Sequence, residues 1–222
     1  MKYQQNDIGE MVMTFQIANN PTDRYASFDF CYHYFRRSSP RDLLHDMEKS
    51  CLVIGFYLAS WGMLRGSSFL LNKSAKYYEP LIEYIANLDE EIWDIDVDDY
   101  NNETIGTICR IYDELRGIVI EHGHAHRTLV TKIMLGVFGF IPAFDNYFGN
   151  TFRSIFGKEC RFRSVNARSL NCIRTFYEHN RDDIDRWSFQ ILVTNFVSGE
   201  KTNINYSRSK IIDMYGFTKG LK

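Results

Sequence analysis

The residues from Leu129 to Phe138 read Leu-Val-Thr-Lys-Ile-Met-Leu-Gly-Val-Phe, apolar around almost the whole of a helical wheel. A helix of that kind is stable in water only when other elements cover it on most sides. The chain therefore has to wrap around a central helix at 129–138. It has the material to do so. Of its 222 residues, 45% are hydrophobic and 15% aromatic, too apolar for a disordered chain. Only 4 Pro and 14 Gly exclude a linker-rich or fibrous protein. A chain of this length buries a core without staples, as one globular unit over 1–222 or as two intimately packed small ones.

The remaining periodicity is helical too, so the expected fold class is all-α. Ser39-Pro40-Arg41-Asp42 is a helix start, with Ser39 as cap, Pro40 in the first turn and Asp42 completing a capping box. The helix it opens carries Leu43, Leu44, Met47, Cys51, Ile54 and Leu58 at helical spacing. Two glycines in Trp61-Gly62-Met63-Leu64-Arg65-Gly66-Ser67-Ser68 then interrupt the pattern. Further helices are expected over 77–88, 105–120, 170–177, 184–196 and 206–215, with 189–196 ambiguous between helix and strand. Tyr25, Phe28, Phe30, Tyr32, Tyr34 and Phe35 form an aromatic cluster that reads equally as core or as a pocket wall.

With 26 basic and 28 acidic side chains the net charge is −2. Nucleic-acid binding by this chain has to come from a local basic face. Residues 79–99 hold nine acids and no Lys or Arg, a solvated face; residues 153–174 hold six Lys or Arg and one acid, Glu159. The basic stretch includes Arg153, Arg161 and Arg163, interleaved with Phe152, Phe156 and Phe162, a mix suited to phosphate contact. Tyr206, Arg208, Lys210 and Lys219 give the last helix a basic side that reads as surface. The cysteines at 31, 51, 109, 160 and 172 form no CxxC pair and read as free thiols of a reducing compartment. The N-terminus lacks the apolar core of a signal peptide, and the apolar run 51–64 is short for a membrane span. The expectation is a soluble, cytoplasmic protein with no membrane partner and no cofactor.

The most informative segment is Glu121-His122-Gly123-His124-Ala125-His126-Arg127-Thr128, followed by the apolar helix, Pro142 and Asp145. One reading is a metal site built on His122, His124 and His126, which would make the chain a metal-dependent hydrolase. Gly123 argues against the helix that such a site needs. A second reading is a solvated turn between two helices. A third is a family resemblance, in which backbone amides at the start of a helix would grip a DNA phosphate. Asp145 ends an apolar run, where an ionised carboxylate is costly unless it is paired or used. Asn146-Tyr147-Phe148 after it also suits an N-cap.

The segment resembles the hairpin and following helix of the helix-hairpin-helix DNA glycosylases. Their hairpin reads Leu-Pro-Gly-x-Gly-x-x-Thr-Ala, then an apolar helix, then Pro-x-x-Val-Asp. Here Gly123, Ala125 and Thr128 take the matching positions, and Ile141-Pro142-Ala143-Phe144-Asp145 takes the end. Glu121-His122 replaces Leu-Pro, and Ala125 replaces the second glycine, so a side chain stands where close phosphate approach wants bare backbone. The resemblance implies a two-lobed helical fold with a cleft and Asp145 at its mouth as the catalytic acid. It implies a DNA partner held by Gly123, His124, Ala125, Arg127 and Thr128. Trp61, Met63 and Arg65 would fill the gap left by a flipped base. Bifunctional members carry a Lys just before the Thr. Here that residue is Arg127, a guanidinium that stays protonated and cannot serve as an amine nucleophile. Lys132, one turn further on, reads as too far into the helix. The expected activity is therefore monofunctional removal of a damaged or modified base, leaving an abasic site, in DNA repair or in defence against modified phage DNA. A non-catalytic helical module that binds nucleic acid or protein is the alternative from another class.

Overall fold

The computed structural model describes residues 3–121 and 123–222. Among them are eleven α-helices: α1 (Ile8–Ile17), α2 (Ala26–Arg37), α3 (Pro40–His45), α4 (Met47–Ser60), α5 (Glu79–Ala86), α6 (Asn102–Val119), α7 (Arg127–Val137), α8 (Asn146–Phe156), α9 (Ala167–His179), α10 (Arg181–Gln190) and α11 (Arg208–Leu221). One antiparallel hairpin, β1 (Leu192–Thr194) with β2 (Lys201–Asn205), is the sole sheet among the described residues.

Helix α7 is central, as its composition demands. Every residue from Leu129 to Val137 is buried, and α2, α4 and α6 pack against it. α11 packs on α8 and α1. The apolar core they form is continuous across the described residues. Two close approaches set the geometry beside α7. Tyr57 of α4 lies against the bare Cα of Gly136, where any Cβ would fall inside its ring, and its hydroxyl donates to the Lys132 carbonyl at 3.0 Å.

Four sequence expectations need correction. The helix opened by the Ser39 capping box, which is present, ends at His45. Asp46 breaks it before α4 begins. The expected helix over 184–196 stops at Gln190, and 192–194 pair as a strand. The acidic stretch is not wholly solvated. Asp96 accepts the backbone N–H groups of Arg208 and Ser209 at 2.7 and 3.0 Å, capping the start of α11. Lys210 on that last helix is no surface cation either, because its side chain is buried against the aromatic core.

Candidate active site

Asp145 is positioned by an irregular link, residues 138–145, that is pinned at nearly every peptide. Gly139 ends α7 at φ +78°, a left-handed geometry that suits glycine. Its carbonyl accepts from Ser207 Oγ at 2.6 Å. The Phe140 carbonyl accepts from Tyr100 Oη at 2.6 Å and Ser209 Oγ at 3.0 Å. Ala143 N–H donates to Asp213 Oδ1 at 3.0 Å. The Phe144 peptide is held on both sides by the first turns of α7. Its N–H donates to Thr131 Oγ1 at 2.9 Å, and its carbonyl accepts from Arg127 Nε at 2.9 Å and Thr128 Oγ1 at 3.2 Å. Asp145 then caps α8 by accepting the Phe148 N–H at 3.0 Å. Asp145 is thus the N-cap of α8.

Asp145, only 9% exposed, lines a cleft of about 560 Å³. Trp61, Met63, Arg65, Ser68 and Phe69 form one side, from the segment after α4. His124, Ala125, Thr128 and Lys132 come from the turn and α7, and Tyr147 and Phe217 from α8 and α11. The two rim segments touch. The rings of Phe69 and His124 lie 4.7 Å apart, and Lys73 pairs with Glu121.

The floor of the cleft holds a feature that the sequence reading set aside. Lys132 reaches it, with Nζ 3.7 Å from Asp145 Oδ2 and donating to the Trp61 carbonyl at 3.0 Å. One turn along α7 from Thr128 puts its stem on the same face, so it is not too far into the helix. Burial pulls the amine's pKa below its usual value, offset by the carboxylates of Asp145 and Asp213. Burial pushes Asp145 above the usual carboxylate range, offset by the Lys132 cation and the Phe148 N–H. Behind this pair lies a second one. Lys210 Nζ is 2.9 Å from Asp213 Oδ2 and stands over the rings of Phe28, Phe15 and Trp61 at 4.4, 4.7 and 5.1 Å. A small inner void of about 10 Å³ touches both pairs. Signs alternate through the four groups, so each buried charge has an opposite neighbour.

Other expected site residues fall elsewhere. Arg127 does not line the cleft. Its guanidinium donates to two carbonyls, those of Phe144 and Phe162 (Nη1 to O, 3.0 Å), so its groups are committed inside the protein. Gly123 is in the left-handed region at φ +85°, and a Cβ there would meet open space. Arg153 folds back on its own helix, bonding the Gly149 carbonyl at 2.9 Å and Asn150. Arg161 and Arg163 line a separate depression of about 300 Å³ with Lys158 and Arg168. The basic stretch therefore does not border the Asp145 cleft. Trp61 does line the cleft, and it stacks on Tyr25 at 5.1 Å in the core.

His124 and His126 have different neighbours. His126 is hydrogen-bonded to Tyr112 Oη through Nδ1 at 2.8 Å, and His124 packs on Phe69. His122 lies outside the described residues. Among those residues no group of three His, Cys, Asp or Glu side chains is placed to hold a metal ion, and no helix is long and apolar enough to cross a membrane.

Comparison with known proteins adds no relative: no protein-family model, curated protein or solved structure matches the chain.

Proposed function

We propose that the chain is a DNA N-glycosylase that removes a damaged or modified base and leaves an abasic site, with Asp145 as the catalytic carboxylate. The observation that carries this reading is the shared cleft. The 61–69 segment comes from one part of the sequence, and the turn at 123–128 and the Asp145–Lys132 pair from another, yet they line one concave surface. The resemblance of residues 120–148 to helix-hairpin-helix glycosylases assigns those same segments to acid, strand grip and gap filling.

The chemistry follows from the charges. Breaking the C1′–N bond sends the bonding pair to the base and leaves positive charge on the deoxyribose. A fixed carboxylate beside the sugar stabilises that charge as it develops. Water then adds its hydroxyl to C1′, and its proton ends on the released base. The Lys132 cation favours the ionised form of Asp145, against the effect of burial. The amides of the turn at Gly123 and of the first turn of α7 supply an anion site for a backbone phosphate. Exposed Arg65 and partly buried Met63 are placed to fill the space of an extruded nucleotide.

One observation favours a second reading. Lys132 is an amine at the cleft floor, and burial lowers its pKa. An amine there can attack C1′, displace the base and form a Schiff base with the opened sugar, after which the strand breaks by β-elimination. Borohydride separates the two readings. The protein is incubated with duplexes carrying modified bases and scored for alkali-labile abasic sites, with and without the reductant. Abasic sites without a trapped protein–DNA adduct support water as the nucleophile. A trapped adduct that disappears in Lys132→Gln supports the amine. The absence of abasic sites on every duplex leaves a non-catalytic binding module.

A further inference from the structure

We infer that the cleft takes a neutral base, one that departs carrying negative charge, and turns away a purine made cationic by N-alkylation. This rests on the glycosylase reading and narrows its substrate class. Around the cleft three cations face one carboxylate. Lys132 is at the floor beside Asp145. Arg65 folds back over Gly62, whose added Cβ would meet Arg65 Nε at 3.0 Å, and its charge bears on Lys132. The Arg24 guanidinium lies 5.1 Å from the Tyr25 ring centroid at the cleft edge. Neither arginine has an ion-pair partner among the described residues. Positive charge therefore exceeds negative charge around the cleft.

That imbalance acts differently on the two kinds of base. When the glycosidic bond of a neutral nucleoside breaks, the electron pair stays on the ring nitrogen and the base leaves as an anion until it takes a proton. Fixed cations in a water-poor site stabilise that charge as it forms. An N7- or N3-alkylpurine arrives positive and leaves neutral, so the same cations oppose its entry and do nothing for its departure. A cationic base is best held on a free aromatic face. The largest aromatic group here is already engaged, because ammonium groups of Lys132 and Lys210 lie 5.2 and 5.1 Å from the Trp61 ring.

The test is base release from two sets of duplexes. One carries uracil, 5-substituted pyrimidines, hypoxanthine and oxidised purines; the other is methylated by dimethyl sulfate. The expected result is release from the first set only, silent in Asp145→Asn. Arg65→Gln, at an exposed position that should not disturb folding, should slow that release about tenfold, and Arg65→Lys should restore it. Release of methylpurines as fast as any neutral base, again silent in Asp145→Asn, overturns the inference and leaves the glycosylase reading standing. No release from either set overturns both.

Discussion

The ammonium of Lys132 stands 3.7 Å from the carboxylate of Asp145, both side chains largely buried and both lining one cleft. A buried ion pair is costly to break from one side, because the remaining charge is stranded. Lys132→Met should therefore destabilise the fold by about 3 kcal/mol, and Lys132→Met with Asp145→Asn should recover a large part of that loss. Denaturant unfolding of the two single variants and the double variant measures the coupling. Additive losses would mean that the two side chains do not interact.

The same pair sets the pH dependence. Burial raises the Asp145 pKa, and the Lys132 cation works against that rise. The carboxylate must be ionised to stabilise a positive sugar, so base release should fall with decreasing pH through a limb above the ordinary carboxylate range. Lys132→Gln removes the cation that favours the charged form and should move the limb to higher pH. A limb at or below the ordinary value would show that burial does not govern this group.

Arg127 acts on the site from behind. It ties the Phe144 carbonyl, next to Asp145, to the Phe162 carbonyl. Arg127→Ala should cost about 2 kcal/mol of stability, since hydrogen bonds to charged groups are among the stronger ones. It should also lower the single-turnover rate of base release while leaving the affinity for duplex DNA unchanged. A large loss of affinity with an unchanged rate would return Arg127 to the strand-gripping role that the sequence suggested.

Gly136 lets Tyr57 press onto α7 beneath Lys132. Gly136→Ala gains helix propensity, yet its methyl group would occupy the space of the Tyr57 ring. Overpacking should win, at about 1–3 kcal/mol of net destabilisation measured by thermal unfolding.

The sequence carried the central helix plainly, because a segment that is apolar on all sides has one fate. Asp145 was legible as a cap and as a costly charge after an apolar run, and both features are present in the fold. What it could not carry was convergence. Lys132 looked like one polar interruption in a core helix, and nothing local reveals that its stem reaches the Trp61 carbonyl. Lys210 looked like a surface cation, because its partner Asp213 and the rings of Phe15 and Phe28 come together only through tertiary packing. Arg127 and Arg161 looked alike as cations suited to a phosphate backbone. One is locked on backbone carbonyls and the other lines a separate depression. The break at Asp46 escaped periodicity, and the strand at 192–194 stayed ambiguous with helix, because short elements contain too few repeats to declare a period.

The most direct measurement is single-turnover base release by the Asp145→Asn variant, made together with its affinity for the same duplex. Asparagine still caps α8 while leaving the Lys132 charge without its partner, so both measurements are made where circular dichroism shows the variant folded. The account predicts a rate about a thousandfold lower, with binding intact or tighter. A variant that releases base at the original rate would contradict it.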